Sequence, residues 1–175
     1  MNGKGSQRRS RENTIKFEQE YNRIFNKNGR APIKGFFGCY RFLSNFHMST
    51  FVYDPPFRNE KIAWPSVEHA YQALKCDDPV IWRKFAAFEK PGQARREGQL
   101  LTMRPNWENL KFDLMKVLVT EKFKDPELAK LLVATEDAYL EETNKWGDRY
   151  WGVCEEAGLN RLGEILMEVR SKLAK

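Results

Sequence analysis

Cysteine and histidine are scarce in this sequence, which holds three Cys and two His among 175 residues. The cysteines, Cys39, Cys76 and Cys154, are odd in number and widely spaced, and no two form a Cys-x-x-Cys pair. They therefore predict neither a disulfide framework nor a zinc site. His47 and His69 form no His-x-x-x-His pattern. We expect reduced thiols and no metal centre.

Long apolar runs are also missing. No stretch approaches the roughly 20 apolar residues that a membrane-spanning helix requires, and the N-terminal MNGKGSQRRSREN lacks the apolar region of a signal peptide. The sequence has no phosphate-loop, dinucleotide-binding or Gly-x-Ser-x-Gly pattern, which argues against three common enzyme classes. We expect an intracellular protein, cytoplasmic or associated with nucleic acid, without membrane contact.

Acidic residues are sparse near the N-terminus. The formal net charge is +6, and residues 1–30 hold eight Lys or Arg against three Glu, so most of the excess lies there. Such an arm is most often solvated, although its charge adds affinity for nucleic acid. We predict a basic, partly flexible extension over residues 1–30, with a short helix over residues 14–28, and one domain over residues 31–175.

Apolar and aromatic residues, at 41% and 13%, are plentiful enough for a packed core. Aromatic and β-branched clusters in residues 33–64 predict short strands and the only β structure. From Ser66 onward the pattern is helical, with further helix starts at Asp78, Asn106 and Asp125. We predict a predominantly helical α+β fold, with short β segments in the N-terminal third and a bundle-like second half.

Hydrophobic periodicity assigns apolar faces to two of these helices. The first face follows Asn106 and comprises Leu110, Leu114, Val117 and Leu118. The second follows Asn160 and comprises Leu162, Ile165, Leu166, Val169 and Leu173. Both faces are expected to lie on the core.

One helix carries a stripe of chemically active side chains. Glu68, Tyr71, Gln72 and Lys75 stand at i, i+3, i+4 and i+7, so a carboxylate, a phenol, an amide and an amine project from one side. Spacing alone favours a solvent-facing polar stripe. The alternative is the wall of a site, enclosed by the aromatic sequence that precedes the helix.

Residues 144–152 (NKWGDRYWG) form the second candidate. Two Gly permit close backbone approach, and the Trp rings around Asp148 offer stacking faces. A tight turn that caps the core would carry the same residues, so both interpretations stay open.

Together these stretches resemble the NADAR (YbiA-like) family. The matching segments, in order, are residues 42–46 (FLSNF), 66–75 (SVEHAYQALK), 104–108 (RPNWE) leading to Lys111, 146–152 (WGDRYWG) and 158–167 (GLNRLGEILM). They cover roughly residues 35–172. Each segment is weak alone, but five in the same order are specific. Residues 153–157 depart from relatives that are richer in glycine there.

The resemblance implies an N-glycosidase with a YbiA-like fold that uses no metal or organic cofactor. Family members act on phosphorylated ribosylamine intermediates of riboflavin synthesis, or remove ADP-ribose from modified guanine bases. We therefore expect phosphorylated ribose or ADP-ribose as substrate and no obligate protein partner. Because the extension is basic, we place ADP-ribosylated guanine in nucleic acid before a free riboflavin intermediate.

Breaking the C1–N bond of ribose develops positive charge on the sugar, so the site needs a carboxylate, proton transfer and water. Glu68 and Asp148 meet these demands as catalytic residues. Lys75 offers another route, attack on C1 of an opened sugar to give a Schiff base, provided that burial or a cationic neighbour lowers its pKa.

Substrate binding is expected from the remaining motif residues. Trp107 and Trp151 would stack on the base. Arginine and lysine side chains at three positions would meet phosphates. The predicted binding set is Arg41, Ser44, Asn45, Phe46, Tyr71, Gln72, Arg104, Trp107, Lys111, Trp146, Trp151 and Asn160.

Two hypotheses from other classes stay open. A nucleotide or ADP-ribose binding module without turnover would use the same aromatics and arginines but would leave Glu68 replaceable. An interaction protein would bind no nucleotide and would leave the Glu68 stripe on open surface.

Deletion of residues 1–13 tests the assignment of the extension. Because this segment has no apolar pattern and precedes every family motif, the truncated chain should keep its circular dichroism spectrum and its turnover of a small riboside. Activity on a polymeric substrate is the only property expected to fall. Loss of the folded dichroism signal would contradict the prediction.

Overall fold

The computed structural model describes residues 30–55 and 61–175. Its α-helices are α1 (Val67–Ala73), α2 (Pro79–Ala86), α3 (Pro91–Gly98), α4 (Trp107–Lys122), α5 (Pro126–Val133) and α6 (Arg161–Leu173). A 3-10 helix covers Gly38–Leu43, and the strands are β1 (Ile33–Lys34), β2 (Phe51–Tyr53), β3 (Ile62–Trp64), β4 (Leu140–Glu141), β5 (Val153–Cys154) and β6 (Ala157–Gly158). The predominantly helical α+β prediction is confirmed. Residues 1–29 of the basic arm, which include the helix predicted over residues 14–28, lie outside the described residues.

The expectation that β structure ends at residue 64 is wrong. Three further strands, β4 to β6, each have two residues, which is too short for an alternating pattern to appear in the sequence. None of the helices in residues 30–55 and 61–175 is both long enough and apolar enough to cross a membrane.

The predicted helix starts are confirmed, with one difference in chemistry. Asp78 Oδ1 accepts from the backbone N–H of Val80 at 2.8 Å, so the side chain caps α2 as expected. Asp125 Oδ1 accepts in the same way at the start of α5. Asn106 precedes α4 in a left-handed conformation with φ 61°, and its side chain makes no capping hydrogen bond. Asn is among the few residues that tolerate this backbone conformation.

The face predicted for α4 is partly wrong. Leu118 is fully buried as expected, but Leu110 and Val117 are exposed, while Met115 and Val119 are buried. Val117, Leu118 and Val119 are consecutive apolar residues, so the sequence allows two overlapping stripes. The structure buries the one that runs through Met115, Leu118 and Val119.

Chain contacts divide the described residues into two compact units. The first contains Asn45–Leu128. In it β2 and β3 pair in antiparallel register, with Phe51 opposite Trp64. Helix α1 packs against α2, α3 and α4, which leaves little of its surface to solvent. This central position of α1 decides the environment of the Glu68 stripe.

The second unit contains the described residues up to Ser44 together with Ala129–Lys175. Here β1 and β4 pair in parallel, with Ile33 opposite Leu140, and α6 packs against β4. Of the predicted α6 face, Leu162, Ile165, Leu166 and Val169 are buried. Leu173 is 40% exposed because it is the last residue of the helix.

A recess of about 420 Å³ also lies in the second unit. Its described lining includes Cys39, Tyr40, Leu131 and Thr135, and none of the predicted site residues is among them. The recess therefore does not mark the candidate chemistry.

Candidate active site

Helix α1 begins at a buried Ser–His cap. Ser66 Oγ lies 2.7 Å from His69 Nδ1 and accepts from the His69 backbone N–H at 3.4 Å. Both residues are fully buried, and burial lowers the pKa of His69 against the opposing effect of a hydrogen bond to the Phe88 backbone, which favours the neutral imidazole. The backbone N–H of Glu68 donates to the carbonyl of Asn45 at 3.1 Å. These contacts fix the first turn and with it the direction of Glu68.

The Glu68 stripe is buried. Glu68, Tyr71 and Gln72 are 6%, 6% and 7% exposed, which contradicts the solvent-facing alternative. Gln72 Nε2 donates to Glu68 Oε1 at 2.9 Å, so one turn of helix links the amide to the carboxylate. A buried carboxylate held by a designated donor is pre-oriented, as an acid–base or charge-stabilising group requires.

Lys75 lies just beyond the end of α1, which stops at Ala73 with Leu74 as its C-cap. The predicted helical stripe therefore ends two residues early, but Lys75 remains half-buried. Lys75 Nζ donates to the carbonyl of Gly98 at 3.4 Å. Burial lowers the pKa of Lys75, the positive charge of Arg95 lowers it further, and the Glu68 carboxylate opposes both. Burial is the largest of these effects, so the condition for a nucleophilic amine, a pKa lowered by burial or by a cationic neighbour, is met.

Gly98 lets α3 approach α1 closely. A Cβ atom at this position would collide with the Gln72 side-chain amide oxygen. The same residue supplies the carbonyl that accepts from Lys75. Position 98 thus constrains both Gln72 and Lys75, a role with no recognisable signal in the sequence.

Tyr71 packs against Trp107, with ring centroids 5.2 Å apart and planes tilted by 50°. Trp107 is only 5% exposed, so it packs behind the Glu68 stripe. Little of its ring face is accessible for the predicted stacking on a base. Asn45 Nδ2 donates to Met115 Sδ at 3.4 Å, and Phe46 beside it is half-buried.

Two of the predicted phosphate contacts are engaged with carboxylates. Arg104 Nη2 lies 3.2 Å from Asp77 Oδ1, and its backbone N–H donates to the carbonyl of Lys75 at 2.6 Å. Lys111 is paired with Glu108 on the first turns of α4. Arg104 is therefore next to Lys75 through the backbone, with its side chain directed to Asp77.

The second unit holds Asp148 in a shaped loop. Asp148 Oδ1 accepts from the backbone N–H groups of Tyr150 at 3.1 Å and Trp151 at 2.9 Å. This oxygen closes the turn, and the catalytic role assigned to Asp148 stays a prediction. Trp151 is half-buried against Tyr150, and Trp146 is 57% exposed.

Asn144 organises this loop and was missed in the sequence. Its Oδ1 accepts from the backbone N–H groups of Trp146 and Asp148, at 3.3 and 3.1 Å, and its Nδ2 donates to the Asp148 carbonyl at 2.7 Å. Gly147, with φ 85°, takes a conformation that favours glycine. The position of Asn144, two residues before a Trp-Gly pair, is the only signal that would have indicated it.

Asn160 is used internally. Its Nδ2 donates to Tyr139 Oη at 3.0 Å and the Leu140 carbonyl at 2.8 Å, and its Oδ1 accepts from the backbone N–H of Glu142 at 3.0 Å. The residue has no exposed surface, so a contact with substrate would require it to give up one of these bonds. Arg41 is exposed in the last turn of the 3-10 helix, and Ser44 is the C-cap of that helix.

The NADAR domain family matches residues 36–174, a range that includes every predicted site residue. The chain belongs to the NADAR family. N-glycosidase YbiA of Escherichia coli (strain K12) is similar to this NADAR chain, with 37% identity over 123 residues, 68% of this chain and 76% of that protein. The riboflavin biosynthesis protein PYRR, chloroplastic, of Zea mays is 33% identical over 133 residues, which are 68% of this chain and 21% of that protein.

The NADAR fold is also shared with a solved structure. The NMR structure of the E. coli protein YbiA matches with a TM-score of 0.70 and 34% identity, covering 82% of this chain and 85% of that one. The YbiA-like fold prediction is confirmed. Among the described residues of this NADAR chain, no group of three or more His, Cys, Asp or Glu is placed to hold a metal ion.

Proposed function

We propose that this NADAR protein hydrolyses the N-glycosidic bond between a phosphorylated ribose and a base. The observation that carries the proposal is the buried Glu68 carboxylate, which Gln72 orients, together with the half-buried Lys75 amine, whose pKa burial lowers even though Glu68 opposes the shift. The names of two relatives, an N-glycosidase and a riboflavin biosynthesis protein, support the same class of reaction.

In direct hydrolysis, Glu68 is the catalytic group and water is the nucleophile. The carboxylate stabilises the positive charge that develops on the sugar ring and accepts a proton from the attacking water, whose oxygen bonds to C1. The C1–N bond breaks, and the base leaves with the proton that Glu68 returns. Gln72 keeps the carboxylate oriented through its hydrogen bond to Oε1.

The Lys75 route uses the opened sugar. When the ribose ring opens, C1 is doubly bonded to the base nitrogen, and the neutral Lys75 amine adds to it. The base leaves as an amine with a proton, and C1 becomes an imine of Lys75. Water then adds to C1, which releases the sugar aldehyde and restores Lys75. Glu68 serves this route as the proton carrier.

For the substrate we propose ADP-ribose linked to a guanine base in nucleic acid, supported by the basic residues of the N-terminal extension. A phosphorylated riboflavin-pathway intermediate is the second candidate, supported by the name of the Zea mays relative. The catalytic role predicted for Asp148 stays a prediction, and neither route above requires it.

The test is incubation with three substrates: ADP-ribosylated guanine DNA, free ADP-ribose conjugates and riboflavin-pathway ribosylamine phosphates. Mass spectrometry of the released base and sugar identifies the product. Release from guanine DNA supports the first candidate, and release from the ribosylamine phosphates alone supports the second. Binding of these compounds without any released base would favour the non-catalytic module instead.

A further inference from the structure

The recess in the second unit has an apolar lining that is partly exposed. It is formed by the segment that begins at Arg30, by the 3-10 helix, and by α5 with the residues that follow it. Phe42 and Ala138 are buried there, whereas Tyr40 and Leu131 are 38% and 48% exposed. The described residues therefore leave an aromatic ring and an aliphatic side chain uncovered beside an apolar recess.

The described part of the chain starts at this recess. Arg30, its first residue, belongs to the recess lining, and Arg30 Nη2 lies 2.6 Å from Glu136 Oε2, just after the end of α5. Because consecutive Cα atoms are about 3.8 Å apart, Asn28 lies within about 8 Å of Arg30. Asn28-Gly29 is also a turn pair, which ends a helix and lets the chain reverse its direction. The segment before Arg30 is thus tethered to the recess.

That segment carries an apolar stripe at helical spacing. Within the helix predicted over residues 14–28, four apolar side chains stand at i, i+4, i+7 and i+8, namely Phe17, Tyr21, Ile24 and Phe25. At 100° per residue they fall within an arc of about 100°, and Gln19 and Arg23 lie on the opposite side. Three aromatic rings and an isoleucine on one side of a helix favour packing against another apolar surface.

We propose that residues 14–28 form a helix whose apolar stripe packs into this recess of the same chain, against Tyr40 and Leu131. The stripe supplies the apolar side chains that the recess accepts, and the covalent connection at Arg30 keeps the two surfaces close together. The proposal is independent of the proposed hydrolysis. Docking of this helix would fix the point from which the basic residues 1–13 leave the protein.

Maleimide labelling of Cys39, located by peptide mass spectrometry, tests the docking on the full chain. Cys39 lines the recess, so a helix packed there shields its thiol. The double variant Tyr21→Ser, Phe25→Ser removes half of the stripe and should raise the labelling rate of Cys39 by about tenfold or more, because a tenfold change corresponds to about 1.4 kcal/mol of docking free energy. The matched control is Gln19→Ser, Arg23→Ser on the opposite side, which should label as wild type.

Two further pairs of variants test each partner of the contact. Deletion of residues 1–28 should raise the labelling rate of Cys39 as the double serine variant does, whereas deletion of residues 1–13, which keeps the stripe, should not. Leu131→Gln changes the recess instead and should also raise the rate. Its control is Leu110→Gln, since Leu110 is 44% exposed on α4 in the first unit and should not affect Cys39.

Photocrosslinking identifies what the stripe contacts. A benzoylphenylalanine in place of Tyr21, at the centre of the stripe, should crosslink within one chain to the peptides that contain Tyr40 or Leu131. A crosslink between two chains would assign the recess to the helix of a second copy and would contradict docking within one chain. A crosslink to neither peptide would also contradict it.

The labelling rates can overturn the proposal in two ways. One is a wild-type rate in the double variant Tyr21→Ser, Phe25→Ser, and the other is an equal rise in this variant and in Gln19→Ser, Arg23→Ser. Circular dichroism checks the fold of each variant. If the first double variant does not fold, the crosslink from position 21 decides, since it leaves the rest of the stripe in place.

Discussion

Replacing Glu68 with Gln should lower turnover by roughly a hundredfold or more, the usual scale for a positioned acid–base group. The substitution keeps the volume and leaves an amide oxygen that accepts from Gln72 Nε2, so the fold and the binding of substrate should survive. What disappears is the negative charge next to the sugar. Steady-state kinetics with whichever of the three test substrates is turned over would give kcat and KM separately, with the loss expected in kcat.

The control for this variant is Glu89→Gln, which removes an exposed carboxylate from the same unit. It should leave turnover unchanged. Wild-type turnover in Glu68→Gln would contradict the catalytic assignment and favour the binding module, which leaves Glu68 replaceable.

Replacing Lys75 with Ala should abolish formation of a covalent sugar adduct and reduce turnover by orders of magnitude if the imine route operates. Borohydride added during turnover reduces an imine to a stable amine, so mass spectrometry should find a sugar adduct on Lys75 of wild type and none on the variant. Lys84→Ala, which removes an exposed lysine of the same unit, should still be trapped.

The pH dependence of trapping follows from the direction of the Lys75 shift. Burial and Arg95 lower the pKa of this amine, so its neutral fraction near neutral pH exceeds that of an ordinary lysine. The amount of adduct should rise with pH as Lys75 loses its proton, over a range below that of a solvent-exposed lysine. Lys75→Arg keeps a cation but forms no imine, so full activity in that variant would limit Lys75 to an electrostatic role and contradict the covalent route.

Glu68 and Lys75 also affect each other. The Glu68 carboxylate raises the pKa of Lys75, so its removal in Glu68→Gln should lower that pKa further. The imine should then form at lower pH in the variant but break down slowly, since its proton carrier is missing. Trapping in Glu68→Gln therefore distinguishes loss of the proton carrier from loss of substrate binding.

The sequence predicted local structure correctly where a single residue determines it, as at the start of a helix. Asp78 and Asp125, each followed by Pro, cap their helices through short-range hydrogen bonds that need no tertiary context. The order of the five family segments predicted the YbiA-like fold. In contrast, Glu68 and Gln72 are buried because α2, α3 and α4 pack around α1. The spacing of residues along α1 does not show which of its sides other helices cover.

The residues that support the site were harder to find. Asn144 acts through hydrogen bonds to backbone groups of a loop. The sequence does not distinguish an asparagine in that role from one on the surface. Arg95 lies in a run of charged residues, and only the contact between Gly98 and Gln72 shows which side of α3 faces Lys75. Three of the six strands in the described part of the chain were missed because each has only two residues.

The loop that Asn144 organises has a spectroscopic consequence. Of the five tryptophans, Trp64, Trp82 and Trp107 are buried and Trp151 is half-buried, whereas Trp146 is 57% exposed. Its indole should therefore dominate the long-wavelength edge of the intrinsic fluorescence and be the emitter most open to iodide quenching. A ligand whose base stacks on Trp146 would lower the fluorescence intensity of this residue. Binding at the loop could therefore be titrated by intrinsic fluorescence, without an added label.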